Sequence, residues 1–491
     1  MISVNIRTEP MLVGSPLECL LAVREEVGER NAFLFESLAG PAVDARSSLI
    51  GITGLLEVSV HDGEVSMKGL PALIKLVSNA LRAAGVAHGP GGSLVLVDGD
   101  ALWQLPRVID AQFDFARDPG AFGFGLLVCY GYDAVGYIEQ LPRTIEDSAH
   151  TVPDAVFSLV HGMISIDLST ATAAVVAAES SEWPELDLRA LKDIIERTAD
   201  TDHQSEDAPV AVPPASAISD DVIEEDYLRR AEICLEHIRL GDIYQVQLGH
   251  EITVTSAADH LDVYRRLRWR NPSPYMCVLP VAGMIVVGAS PELFVRIEGG
   301  EVTMRPIAGT ARRQGCDEAN EGVVNALLNE PKERAEHIML VDLCRNDLGR
   351  IAEPMSTEVR DLMLVETYSH MFHIVSNVTA RVDKRFDVYD VIRASFPAGT
   401  MTGAPKVRAM EIIESLETSR RGLYAGSFGV VGFGGWSVLG LAIRMAVHSD
   451  GTYRIRASAG IVADSSPQSE WNETLTKLGA TYWAVTGEEL T

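Results

Sequence analysis

Apolar positions fall in short runs along this chain, and their spacing changes from segment to segment. Ser93–Val97 and Gly125–Cys129 are nearly continuous apolar runs of strand length, as buried strands are. Leu70–Ala84 carries its apolar residues at helical spacing instead. Tyr244–Val254 alternates polar and apolar residues, which predicts a half-buried strand. Further strands are expected at Met284–Val287, Leu293–Ile297 and Ile374–Val382. Helices are expected at Asn320–Arg345, Asp387–Ala394 and Lys406–Ser415, and again near the C-terminal end. Strands outnumber helices and often follow one another directly. The pattern therefore favours an α+β fold, with large antiparallel β-sheets flanked by helices, over a doubly wound sheet.

Breaks in this pattern divide the chain. Residues 1–178 form one unit of short strands and helices. Residues 179–221 are rich in Asp, Glu, Ser, Pro and Ala and read as a helix followed by an acidic, flexible linker over Thr198–Pro209. Residues 222–491 form the second unit. Ser219 is placed to N-cap its first helix, whose opening turn is acidic and which Gly241 stops. Gly422–Ile443 is free of charge and long enough to consider a membrane helix. Its seven glycines point to two buried strands around a glycine-rich turn.

Charge narrows the function. The 491 residues hold 41 Lys+Arg against 69 Asp+Glu, a net charge of −28. Such a chain is not built to grip nucleic acid or an anionic membrane, both of which need clustered cations. An anionic substrate would need a local cation or metal. The six cysteines (Cys19, Cys129, Cys234, Cys277, Cys316, Cys344) are scattered without a CxxC. That spacing fits a reducing, cytoplasmic setting better than a disulfide or zinc framework.

Two Glu-x-x-Glu pairs carry candidate chemistry: Glu333 with Glu336, and Glu470 with Glu473. A spacing of three puts both carboxylates of a pair on one helical face. Alone, each pair describes a solvated face; two such faces meeting would hold Mg2+ through oxygen ligands. Phe396–Lys406 brings glycines and hydroxyls just before a helix, where backbone N–H groups meet anions. It lacks the Gly-Lys-Ser/Thr ending of a P-loop. Glu292, at the edge of an apolar strand, is placed to be a carboxylic acid with a raised pKa, hence a general acid.

Taken in order, the segments Gly241–Leu248, Ser290–Leu293, Pro306–Thr310, Lys332–His337, Asp342–Arg350, Tyr368–Ser376, Gly399–Lys406 and Ala459–Asp464 resemble the chorismate-utilising enzymes. That family includes anthranilate synthase component I and the aminodeoxychorismate, isochorismate and salicylate synthases. The resemblance spans Tyr227–Leu478 and continues faintly upstream, so that residues 1–178 resemble a regulatory-like domain and residues 222–491 a chorismate-binding catalytic domain.

The resemblance implies a site. Glu336 and Glu473 would ligate Mg2+, with Glu333 and Glu470 helping through water. Gly309, Thr310, Thr402 and Lys477 would line the ring-carboxylate end. Arg444 and the backbone near Ala459 and Gly460 would hold the enolpyruvyl carboxylate. Glu292 would protonate the departing C4 hydroxyl while a nucleophile adds at C2. Gln245 stands where water-adding relatives carry a lysine, and an amide cannot act as a base near neutral pH. Ala308 stands where aminodeoxychorismate synthases often carry a nucleophilic lysine. Amination at C2 by ammonia is thus implied, with ammonia supplied by a separate glutamine amidotransferase subunit.

His373 matches the family histidine tied to pyruvate elimination, which would give anthranilate. Three departures leave an alternative open. Val430 replaces a tyrosine that contacts the enolpyruvyl carboxylate, Ala311 replaces an arginine and Ser458 a glycine. The alternative is an enzyme that stops at 2-amino-2-deoxyisochorismate and keeps the enolpyruvyl group, as enzymes of secondary metabolism do. Glu36 and Ser37 with Asn271, Pro272, Ser273, Tyr275 and Met276 resemble the tryptophan feedback site. Inhibition by tryptophan and homo-oligomerisation are expectations of the resemblance alone.

Overall fold

The computed structural model describes residues 1–490 except 13, 90–92, 148–151, 200–208, 315–316 and 368–370. Most of the expected linker tail, Cys316 and the start of the Tyr368–Ser376 motif therefore lie outside the described residues. Two large sheets, one of 13 strands and one of 12, dominate the molecule, and their named pairings are antiparallel. Helices pack on their outer faces, as the α+β reading expects.

Both sheets draw strands from before residue 179 and after residue 221. In the larger, Gly125–Tyr130 lies between Ala155–Val160 and Ser427–Gly432. In the other, Ala32–Glu36 pairs with Tyr275–Val281. An apolar layer that includes Phe33, Leu127, Cys277, Phe428 and Val430 joins residues of the two sheets.

The charge-free stretch forms two paired strands, Ser427–Gly432 and Ser437–Leu441, around a glycine turn. No helix among the described residues is long and apolar enough to cross a membrane. The five described cysteines are free and buried.

Three local expectations are corrected. Ser219 belongs to a strand, Ala217–Asp220, and the helix Glu224–Leu240 starts after Ile223 with no side-chain cap. Its stop is as expected, with Gly241 at φ 80°. The single helix expected over Asn320–Arg345 is two, Asp317–Asn329 and Pro331–Gly349. Pro331 has no N–H to continue the first helix but suits the first turn of the second. The strand Gln245–Thr255 is buried on both faces from Gln245 to His250, not half-buried. Gln245 and Gln247 face a site rather than solvent, and His250, on the other face, bonds Asp220 and Thr474.

Candidate active site

The strands Gln245–Thr255 and Thr452–Ile461 pair with Gln247 opposite Gly460 and Leu248 opposite Ala459. A Cβ on Gly460 would sit 2.8 Å from Gln245 Nε2 and 2.9 Å from Gln247 Nε2. Glycine thus leaves room for the two amides to lie against this backbone, and a larger residue would push them aside. Gln245 is 1% exposed, and its Oε1 has no hydrogen-bond partner among the described residues. Its Nε2 reaches Glu336 Oε1 at 3.4 Å, which ties the sheet to the helix Pro331–Gly349.

From the other sheet, Ile307–Arg312 pairs with Met371–Arg381, and the register slips between Ala308 and Thr310. Gly309 occupies the slip at φ 68°, a left-handed bulge that favours glycine. A Cβ there would meet Ile374 at 2.9 Å and Glu333 Oε2 at 3.2 Å. The Thr310 backbone lies opposite His373. Burial, then the nearby Arg444 charge, push His373 down to about 4, against a hydrogen bond to the Gly309 backbone. The imidazole is therefore neutral near pH 7.

The helices Pro331–Gly349 and Pro467–Thr486 bring the two glutamate pairs together. Burial, then Glu333 and Glu473, push the Glu336 carboxyl up to about 7. Glu333 and Glu470 are also raised, by burial first, with Glu473 contributing to both. The C-terminal helix owes its start to Ser466, whose side chain accepts from the Ser469 N–H. Lys477, one turn beyond Glu473, bonds it at 2.6 Å and donates to the Ser458 carbonyl at 2.9 Å. A set of mutually repelling carboxylates with all-oxygen donors fits a hard divalent cation such as Mg2+. Tighter three-residue clusters, at ligand spacing, occur elsewhere: His61–Asp62–Asp147 and Asp220–Asp221–His250.

Glu292 is 8% exposed, and burial pushes its carboxyl up to about 8. A side chain of this kind is protonated at neutral pH and has a proton to give. Thr400 donates to Glu292 Oε1 at 3.1 Å. Arg444 holds φ at 55°, a conformation that costs a non-glycine residue about 1–3 kcal/mol. Burial lowers its pKa, and no ion pair or side-chain hydrogen bond is seen for its guanidinium among the described residues. A desolvated arginine, favoured in its charged form by nearby Tyr424 and Glu473, suits an incoming carboxylate. Thr402 is fully buried, and its hydroxyl donates to the Ala398 carbonyl at 3.2 Å.

The structure thus gathers Gln245, Glu333, Glu336, Glu470, Glu473 and Lys477, with Gly309, His373, Arg444 and Gly460 around them. Thr400 and Tyr424, and the bonds that link Tyr424, Ser458 and Gln247 at 2.7 Å each, were not foreseen as parts of the site. Only the hydroxyl in Gly399–Met401 signalled the first.

The expected effector residues also cluster, at the edge where Ala32–Glu36 meets Tyr275–Val281. Ser37 Oγ lies 2.8 Å from the Pro274 carbonyl, and the Leu38 N–H donates to the Ser273 carbonyl at 3.2 Å. Glu36 faces Met276 in register but is held by Arg268 and by the Tyr264 hydroxyl. Tyr275 donates to Asp44, and the Ser273 hydroxyl to the Asn271 carbonyl. Pro272 lies in the same segment.

Two antiparallel sheets flanked by helices thus carry the site, with the two glutamate pairs within electrostatic reach of one another. The chain belongs to the chorismate binding enzyme family, whose model matches residues 93–482. It is 49% identical to the 2-amino-4-deoxychorismate synthase of Streptomyces globisporus, over 99% of this chain and 98% of that one. It is 36% identical to anthranilate synthase component 1 of Acinetobacter calcoaceticus, over 92% and 90%. The crystal structure of anthranilate synthase component I from Streptococcus pneumoniae TIGR4 superposes with a TM-score of 0.70 at 28% identity, covering 89% of this chain and 92% of that one.

Proposed function

We propose that this protein aminates chorismate at C2 with ammonia, in the presence of Mg2+, and releases 2-amino-2-deoxyisochorismate with its enolpyruvyl group intact. The observation that carries this reading is the near-full-length similarity to the Streptomyces globisporus enzyme. That relative's name puts nitrogen on C2, removes oxygen from C4 and keeps the chorismate skeleton. It describes the same molecule as 2-amino-2-deoxyisochorismate, not the 4-amino compound.

The residues support the chemistry. Arg444 takes the enolpyruvyl carboxylate, and Gly460 lets the sheet backbone approach it. Mg2+, held by Glu336 and Glu473 with Glu333 and Glu470 behind them, would neutralise and orient the ring carboxylate when bound. Glu292 gives its proton to the C4 hydroxyl, which leaves as water. Ammonia adds at C2 as the ring double bonds shift toward C4, and the new ammonium loses a proton. Chorismate and ammonia are consumed, and the aminated product and water are formed. Gln245 donates a hydrogen bond and removes no proton, so it favours ammonia over water. Because the protein's own groups supply no ammonia, a glutamine-hydrolysing partner is part of the proposal.

Two features support stopping at this product. Val430 is fully buried among apolar side chains and offers no polar atom to the enolpyruvyl carboxylate. His373, pushed down to about 4, is a weak base for removing the C2 proton. The second reading is anthranilate synthase, favoured by the presence of His373 beside Arg444 and by the 36% identical relative.

The test is product analysis with chorismate, Mg2+ and ammonium salt at about pH 8.5, where free ammonia is appreciable. Aminated product of unchanged skeleton without pyruvate supports the proposal. Anthranilate with equimolar pyruvate sinks it in favour of the second reading.

A further inference from the structure

A cavity of about 350 Å³ opens beyond the catalytic groove. It lies along the same face of the 12-stranded sheet. On Gln245–Thr255, alternate residues share one face. Gln245 and Gln247 serve the groove, whereas Glu251 and Thr253 line the cavity. On the paired strand, Gly460 and Ser458 serve the groove, whereas Arg456 and Arg454 line the cavity. The Tyr424–Ser458–Gln247 hydrogen bonds form the wall between them. Arg421 braces that wall by donating to the Gln247 and Met401 carbonyls at 3.1 and 2.8 Å.

Four arginines and three carboxylates line this cavity in a chain of net charge −28. Three of the arginines, Arg420, Arg421 and Arg456, are largely engaged by the protein itself, and Arg454 is not. Arg456 gives its terminal nitrogens to Glu417 at 2.9 Å and to Ser419 Oγ at 2.7 Å. Arg420 reaches Asp133 at 3.2 Å and Glu414 at 3.1 Å, and its Nε stands 3.5 Å from Asp147. Among the described residues, Arg454 pairs only with Glu251, at 3.8 Å. Among the described residues, Arg420 Nε, Arg454 Nη1 and Arg456 Nε are buried without a hydrogen-bond acceptor. The Arg456 side chain is 2% exposed and that of Arg420 7%. Those three atoms are closed off from the cavity, whereas Arg454, its side chain 16% exposed and its carboxylate partner 3.8 Å away, presents a weakly paired guanidinium to it. The opposite wall is apolar, built by Val152, Leu423, Ala442, Met445 and Val447.

We propose that this cavity is a second ligand site, distinct from the catalytic groove, for a small monocyclic carboxylate. The Arg454 guanidinium takes the carboxylate oxygens, and the apolar wall takes the ring. The volume is at the low end of small-molecule sites, which suits a single ring. The inference does not depend on which product the groove forms.

The test uses benzoate as the probe and follows both thermal stabilisation and calorimetric binding. Inorganic phosphate serves as an anion without a ring. Three proteins are compared: wild type, Arg454→Gln in the cavity and Arg444→Gln in the groove. Benzoate binding that survives Arg444→Gln and weakens about tenfold or more in Arg454→Gln is the expected result. Binding lost in Arg444→Gln but kept in Arg454→Gln assigns all carboxylate binding to the groove and overturns the proposal. Phosphate binding without benzoate binding, or no binding of either, overturns it as well. Val447→Trp, which fills the apolar wall, provides the same comparison without adding or removing a charge.

Discussion

The Thr400 hydroxyl donates to the Glu292 carboxylate across 108 positions of sequence, and it opposes the burial that raises that group. Burial wins, because the carboxyl still sits at about 8. The acid form is therefore present below about 8 and lost above it. With rates referred to free ammonia, kcat/KM is expected to fall on the alkaline side of about 8. Thr400→Val removes a bond that favours the charged form, so the alkaline limb should move up. Glu292→Gln should lower kcat about 10²–10⁴-fold with the fold intact. A downward shift in Thr400→Val would contradict the assignment.

The glutamate quartet predicts how the metal responds to pH. Glu336 must lose its proton to ligate, and it is pushed up to about 7. Apparent Mg2+ affinity should therefore rise as pH climbs toward 7 and level off above it. Chelation should abolish activity, and Mg2+ should raise the melting temperature. Glu336→Gln should remove that rise. Calorimetry from pH 6 to 8 checks the slope, and unchanged stabilisation in the variant would remove Glu336 from the metal site.

Gly460→Ala adds one methyl group where Gln245 and Gln247 already press on the backbone. Overpacking of this kind costs about 1–3 kcal/mol. The expected outcome is a modest loss in urea stability and a large rise in KM for chorismate. A variant with wild-type KM would mean that the two amides do not line the substrate.

Glu36 is better described as a buried ion pair than as an open effector ligand. Arg268 holds both of its oxygens, at 2.8 and 2.9 Å, and Tyr264 adds a third bond at 2.6 Å. Removing one partner of such a pair typically costs about 3–5 kcal/mol. Glu36→Ala should lose stability on that scale in urea. Because these groups are already engaged, tryptophan is expected to inhibit weakly or not at all, which a rate titration checks.

Much of the site was legible because its chemistry is local in sequence. The Glu333–Glu336 and Glu470–Glu473 spacing fixes a helical face, and a glycine in a strand, such as Gly460, marks close backbone approach. What stayed hidden depends on distant partners. Nothing near Thr400 announces Glu292, and nothing near Arg454 announces its unsatisfied nitrogen. The helix break at Pro331 was visible in principle, yet apolar periodicity continued across it. The polar positions of Gln245–Thr255 suggested solvent because alternation alone does not distinguish water from a polar groove. Ser219 looked like a cap because Ser with acidic neighbours is a cap signal, but the sheet captured its backbone first.

The interleaving of the two sheets governs the order in which this protein assembles. The strand Gly125–Tyr130 finishes translation some 300 residues before Ser427–Gly432, its partner on one side. Ala32–Glu36 likewise waits for Tyr275–Val281. A nascent chain therefore leaves the ribosome with open strand edges in its first third, closed only as the middle and last thirds arrive. Such edges invite chaperone binding or pairing between neighbouring chains. A fragment ending near residue 178 should accumulate as aggregates, whereas co-expression with the remainder should restore soluble protein by complementation.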